Sequence, residues 1–174
     1  MSKLISNLLD VRYIDSMQHL SLIPRNFALL VAEIVEQYQT IAANKEIILI
    51  SRIPSTPIAI LDFENWVYQV VSNLISNAIK FTPTGKAIEV GLKMEESIVS
   101  ISITDGGYGI REEEQKLLFQ KFKVLSTPTT GGESKTGLGL FIAQWNAKNI
   151  GGKIIYEEIG GSTFRIELPL IQLA

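Results

Sequence analysis

Asn73-Leu74-Ile75-Ser76-Asn77-Ala78-Ile79-Lys80-Phe81-Thr82-Pro83 is the stretch on which the fold turns. Followed back to Asp62, it keeps a helical period. Val67, Val70, Val71, Leu74, Ile75 and Ala78 recur at three- and four-residue steps, which marks the buried side of an amphipathic helix. Asp62 is the expected N-cap, residues 63–80 the expected helix, and Thr82-Pro83-Thr84-Gly85 its stop. The same helix carries a second stripe. At about 100° per residue, Asn73, Asn77 and Lys80 fall together and apart from the apolar positions. Two amide oxygens suit a hard divalent cation, and a lysine suits phosphate oxygens. A solvated helix face is the plainer reading of the same three residues.

Working outward toward the C-terminus, Ala87–Lys93 and Ile98–Thr104 read as strands joined through Glu95-Glu96-Ser97. The second strand runs into Thr104-Asp105-Gly106-Gly107-Tyr108-Gly109-Ile110. Its glycines permit close backbone approach, and its carboxylate lies just past a strand end, where it could accept a hydrogen bond from a ligand amine. An ordinary Asp-Gly turn is the alternative. A polar helix is expected near 111–118, and residues 123–136 lack periodicity and read as a mobile loop. That loop feeds a helix at 138–149 through Gly131-Gly132-Glu133-Ser134-Lys135-Thr136-Gly137-Leu138-Gly139-Leu140. Free N–H groups at such a junction make an anion site. It is not the GxxxxGK[ST] phosphate loop, and a glycine-rich surface loop is the bland reading. Strands at 153–158 and 162–168 finish the chain.

Toward the N-terminus, residues 25–43 have helical periodicity, and 46–50 and 57–61 read as two short buried strands around Pro54-Ser55-Thr56-Pro57. Ser21-Leu22-Ile23-Pro24 reads as a linker-like break. Residues 2–18 form an amphipathic pattern through Leu4, Leu8, Val11 and Ile14. Strands thus arrive in neighbouring pairs with helices between the pairs. The expectation is an α+β sandwich, one mixed sheet with helices on one face.

Composition narrows the chemistry. The 174 residues suffice for one domain with its own core, or one domain plus a short extension. Lys and Arg number 16 against 18 Asp and Glu, a net charge of −2, which lacks the basic excess of a nucleic-acid surface. With 0 cysteines and 1 histidine, His19, disulfides, cysteine zinc sites and thiol catalysis are excluded within this chain. The longest apolar block, Phe27–Val35, is far below membrane-spanning length and contains Glu33. The segment is expected to be soluble and cytoplasmic without membrane contact of its own, its parent protein being compatible with a membrane tether.

The motifs also occur in a telling order. Asn73–Pro83 resembles the N box of sensor histidine kinases, and Asp105-Gly106-Gly107-Tyr108-Gly109-Ile110 resembles their first glycine box, DxGxGI. Leu118-Phe119-Gln120-Lys121-Phe122 resembles the phenylalanine box, and Thr136-Gly137-Leu138-Gly139-Leu140 the second glycine box. Gly161-Ser162-Thr163-Phe164, with Leu168-Pro169, looks like the family's closing strand. The resemblance runs from about residue 20 to 170. It implies the Bergerat fold of the wider gyrase–chaperone–kinase ATPases, a two-layer α/β sandwich with a mixed, mostly antiparallel sheet. It divides the chain into a tail of an upstream dimerisation and phosphotransfer helix plus linker at 1–20, and an ATP-binding catalytic domain at 21–174.

The resemblance also implies roles. Asn77 would ligate Mg²⁺ with Asn73 assisting, Lys80 would contact phosphate, and Phe81 would lie beside the adenine. Asp105 would accept the adenine amino group, Gly107, Gly109 and Ile110 would shape the base site, and Thr163 would lie near the adenine and support Asp105 through water. Residues 123–136 would be an ATP lid anchored by Phe119 and Phe122. Thr136, Gly137, Leu138 and Gly139 would offer backbone N–H groups to phosphates. Lys135 stands where the second glycine box often has a further glycine, within reach of phosphate, and Gly106 loosens the first box's turn.

In the related hydrolytic ATPases a glutamate at the Asn73 position activates water. An amide is no general base, so transfer of the γ-phosphate to a protein nucleophile is favoured over hydrolysis. His19 is followed by Leu20 rather than an acidic residue, so it reads as a surface linker residue, and the acceptor histidine is expected on a separate helical domain. A response regulator would be the indirect partner. The competing reading is a non-catalytic nucleotide-binding or interaction module of the same fold. A gyrase-like ATPase is the third, and Asn73 weighs against it.

Overall fold

The computed structural model describes residues 22–171. The amphipathic stretch at 2–18, His19 and the 1–20 boundary lie outside the described residues. The order of elements is β1 (Ile23–Asn26), α1 (Phe27–Asn44), β2 (Ile48–Arg52), β3 (Ala59–Asp62), α2 (Trp66–Phe81), β4 (Ala87–Glu95), β5 (Ile98–Asp105), α3 (Glu112–Gln115), α4 (Gly139–Asn149), β6 (Lys153–Glu158) and β7 (Ser162–Pro169).

Five strands form the main sheet in the order β2-β4-β5-β7-β6. β2 runs parallel to β4, and the other neighbours are antiparallel. Period-2 alternation decides which face is buried. Ile88, Val90 and Leu92 of β4, Val99, Ile101 and Ile103 of β5, and Phe164, Ile166 and Leu168 of β7 turn inward. Helices α1, α2 and α4 pack over this face, with α2 in the middle.

α2 shows which force sets the element. Val67, Val70, Val71, Ile75 and Ile79 are β-branched, and each costs up to about 0.7 kcal/mol in helix propensity. All five are buried. Burying such a side chain contributes about 1.5–3 kcal/mol, so packing outweighs propensity. α4 is joined to α2 by an edge-to-face contact between Trp66 and Trp145, with ring centroids 5.0 Å apart.

Several boundaries differ from the sequence expectation. The break at 21–24 is in part a strand: Ile23–Asn26 pairs antiparallel with β3 in a separate two-stranded sheet. Pro24 fits because β1 pairs on one side only and proline tolerates an edge position. The expected strands at 46–50 and 57–61 start later and fall in different sheets. β2 is an edge strand, so Leu49 is buried while Ile48 and Ile50 are exposed. α2 starts at Trp66, and Asn65 occupies the cap position without a side-chain cap bond. Asp62 caps from further back. Its Oδ1 accepts the N–H groups of Phe63 (2.8 Å) and Val67 (3.0 Å), and Arg25 Nε lies 3.6 Å from its Oδ2. The polar helix near 111–118 is one turn, Glu112–Gln115, followed by further turns. Residues 123–136 contain neither helix nor strand, as expected.

Candidate functional site

The polar stripe of α2 forms one wall of a cavity of about 780 Å³. Asn73, Asn77 and Lys80 line it, while Leu74, Ile75 and Ala78 are buried in the core. Phe81, at the helix C-terminus, lines the same space, with Lys135 Nζ 5.6 Å from its ring centroid. The first turn of α4 packs against this wall. A Cβ on Gly139 would stand 2.5 Å from Asn73 Oδ1, so a larger residue there would displace the Asn73 amide from its place on the wall. Thr136, Gly137 and Gly139 line the cavity, and Leu138 is buried beneath them. The first turn of α4 carries no acidic residue, so its free N–H groups and helix dipole face the cavity uncompensated.

Asp105 closes the other end. It continues the inward alternation of Val99, Ile101 and Ile103 past the apolar core and is 5% exposed. Its Oδ1 accepts the Gly107 N–H at 2.8 Å. Burial pushes the carboxyl above its ordinary range, and hydrogen bonds from the Gly107 and Ser162 N–H groups pull the other way. No Lys or Arg among the described residues forms an ion pair with it. A buried carboxylate without a cation is costly, and its remaining acceptor capacity faces the cavity. Gly109 and Ile110 complete this end, the Ile110 N–H donating to the Tyr156 hydroxyl at 3.1 Å.

Two expected positions are corrected, Thr163 and Phe122. Thr163 does not reach the cavity. Alternation along β7 gives Ser162 and Phe164 to the lining, and Thr163 shares a 3.0 Å hydrogen bond with Thr104, its register partner on β5. Ser162, whose N–H reaches Asp105, holds the place expected for Thr163. Phe119 packs against the core, but Phe122 is 60% exposed with φ +60° and is no anchor. Buried Leu118 and partly buried Leu125 tie the loop down instead. Lys135 lines the cavity, yet its ammonium donates to the carbonyl oxygens of Leu125 (2.9 Å) and Thr127 within the loop.

The loop is also tied to the C-terminus of α2. Lys45 Nζ donates to Ile79 O (2.7 Å) and pairs with Glu133 at 3.0 Å. Burial alone would raise the Glu133 carboxyl, but the Lys45 hydrogen bond and the Gly131 N–H hold it below its ordinary value. Thr130 N–H donates to Lys80 O at 2.9 Å, and the N–H and hydroxyl of Ser126 donate to Glu114 at 2.8 and 2.7 Å.

Sequence reasoning missed the end of the cavity formed by Tyr38, Tyr68, Gln69, Ser72 and Asn146. The signal was present in part, since Gln69 stands one turn before Asn73 on the polar stripe. Among the described residues no cluster of three His, Cys, Asp or Glu could hold a metal, and no helix is long and apolar enough to cross a membrane.

Residues 63–172 match the family model described as histidine kinase-, DNA gyrase B-, and HSP90-like ATPase. Sensor histidine kinase RppB of Synechocystis sp. is 32% identical over 146 residues, 83% of this chain and 32% of the relative. Sensor histidine kinase RcsC of Escherichia coli is 35% identical over 173 residues, 97% of this chain and 18% of the relative. The chain therefore spans about a third or less of these relatives. Among solved structures, full-length ShkA in complex with AMPPNP superposes with a TM-score of 0.83 at 24% identity, over 99% of this chain and 36% of that one. A nucleotide-free catalytic domain of the histidine kinase ThkA gives a TM-score of 0.75 at 24% identity, covering 86% of this chain and 97% of that one. At these identities the structural likeness shows the fold.

Proposed function

The chain belongs to the histidine kinase-, DNA gyrase B- and HSP90-like ATPase family and has the fold of histidine-kinase ATP-binding domains, and we propose that it binds ATP and delivers the γ-phosphate to a histidine on a separate helical domain. One observation carries this reading. A single cavity holds a buried carboxylate, Asp105, at one end, and beyond it Asn73, Asn77 and Lys80 facing the N-terminus of α4. The carboxylate accepts an amine N–H of the base, and the other wall takes phosphates.

Mg²⁺ fits the donor set. This ion keeps several waters and is held largely through substrate phosphates, so it asks for few protein ligands, and Asn73 and Asn77 bring neutral oxygens to the cavity wall. The Asn77 side-chain oxygen, with Asn73 beside it, would supply such a partial set, and the ion would neutralise charge between phosphate groups. Asn77→Ala is expected to abolish the Mg²⁺ dependence of nucleotide affinity. Titrations with Mg²⁺ and with chelator test this, and a dependence as large as in the parent chain rejects the assignment.

The carboxylates also favour transfer over hydrolysis. Among the described residues, Asp105 and Glu133 are the only carboxylates that line the cavity. Asp105 lies at the base end, and Glu133 is paired with Lys45. Asn73 is no general base, so water lacks an activator and the nucleophile comes from outside. In the step, an imidazole nitrogen forms a P–N bond with the γ-phosphorus while the bridging P–O bond breaks. ADP leaves with the electron pair, and the imidazole proton passes to solvent. The residues act by positioning and electrostatics. A response regulator would then take the phosphoryl group.

Ser162 and Thr163 give a paired test. Ser162 lines the cavity while Thr163 does not, so Ser162→Ala should weaken nucleotide binding about threefold through loss of a cavity hydroxyl, and Thr163→Val should leave it unchanged. The reverse order would return the role to Thr163. The reading as a whole is tested by calorimetric titration with a non-hydrolysable ATP analogue, with and without Mg²⁺. Mg²⁺-dependent binding is expected, and no binding under either condition overturns it.

A further inference from the structure

The polar stripe of α2 does not stop at Asn73. Gln69, one turn earlier, lines the same cavity. It lies twelve residues from Phe81, about 18 Å along the helix axis at 1.5 Å per residue, and so at the end far from Asp105. Its Oε1 accepts a 3.1 Å hydrogen bond from Nδ2 of Asn146 on α4. Asn146 is 3% exposed, so a long side chain is held by a buried and fixed amide.

An amide has one acceptor end and one donor end. With Oε1 engaged by Asn146, Nε2 is the end of this cavity-lining side chain that donates to no other described residue. One turn on, Asn73 Nδ2 is buried with no hydrogen-bond partner. Two neighbouring amide donors, one oriented by a buried partner and one unsatisfied, call for an anionic oxygen between them. Neutral donors fixed in advance stabilise such an oxygen without reorganisation.

We infer that Gln69, oriented by Asn146, donates to the terminal phosphoryl group and selects a nucleoside triphosphate over a diphosphate. This rests on the nucleotide reading above. Asn146 is a positioning residue in this scheme, acting only through Gln69.

The test compares affinities for a non-hydrolysable ATP analogue and for ADP, both with Mg²⁺, in the unaltered chain and in Gln69→Ala, Gln69→Glu and Asn146→Ala. Gln69→Ala should lower affinity for the triphosphate about tenfold and for ADP by less than twofold. Gln69→Glu should lose more on the triphosphate, since a carboxylate repels it. Asn146→Ala should shift the ratio the same way by a smaller factor. Retained ADP binding shows that each variant is folded, and a purely structural role would not move the ratio. Equal losses for both nucleotides, or no change in either, overturn the inference and leave the nucleotide reading intact. An unaltered chain that binds neither nucleotide overturns both.

Discussion

Asp105→Asn is expected to lower nucleotide affinity roughly thirtyfold while raising the melting temperature of the nucleotide-free chain. The first effect follows from hydrogen-bond chemistry. Asp105 accepts the Gly107 N–H through Oδ1 and has further acceptor capacity facing the cavity. In asparagine one oxygen becomes an NH₂ group, which meets the Gly107 N–H, the Ser162 N–H or the base amine as donor against donor. Hydrogen bonds to charged groups are worth about 1.5–3 kcal/mol, which corresponds to roughly ten- to hundredfold in affinity. The second effect has the opposite sign because burial raises the Asp105 carboxyl. A raised folded-state value means that the folded chain binds the proton more tightly than the unfolded one. Stability then falls as pH rises from the unfolded value through the folded one, and the deficit persists at neutral pH. Asparagine removes it. Calorimetric titration measures the first effect and thermal melts across acidic to neutral pH the second. A variant that loses affinity and melting temperature together would make Asp105 a structural residue, and unchanged affinity would remove it from the base site.

Gly161→Ala is expected to cost about 3 kcal/mol or more, a drop in melting temperature of roughly 6–12 °C for a domain of this size. A Cβ at this position would overlap the Asp105 carbonyl oxygen outright, and Gly161 has φ +142°. The obstacle is backbone, so no side chain can swing aside, and β5 would have to part from β7 next to the carboxylate. Gly160→Ala is the control. Gly160 has φ +67°, and a Cβ there would meet nothing within 4 Å, so only the conformational penalty of about 1–2 kcal/mol applies. Equal losses at the two positions would show that the close approach of Gly161 to Asp105 carries no weight.

The α2 wall of the site was legible because two periodicities coincide on one helix. The apolar stripe Val67–Ala78 fixed its orientation, and the polar stripe Asn73, Asn77 and Lys80 had to face elsewhere. Asp105 was legible as a strand-end carboxylate. Thr163 was misplaced because the motif suggests a hydroxyl without saying which face of β7 carries it. Counting back by two from inward Phe164 gives Ser162. Phe122 was misplaced because the likeness of Leu118–Phe122 to the phenylalanine box does not say which of its aromatic side chains turns inward, and its positive φ depends on the tertiary course of the turn. β1 was hidden by Pro24, which marks a break in sequence and an edge in structure. The Gln69–Asn146 contact joins positions 77 residues apart, and no local pattern pairs them.

The two tryptophans of the chain, Trp66 and Trp145, meet edge to face between the helix that bears the amide stripe and the helix that follows the loop. The protein therefore carries its own optical gauge. Intrinsic indole emission arises solely from this junction, so a shift of α4 against α2 during loading of the cavity would change its wavelength or intensity without any label. Stopped-flow fluorescence could then follow closure in time, on the same unaltered chain that calorimetry measures at equilibrium.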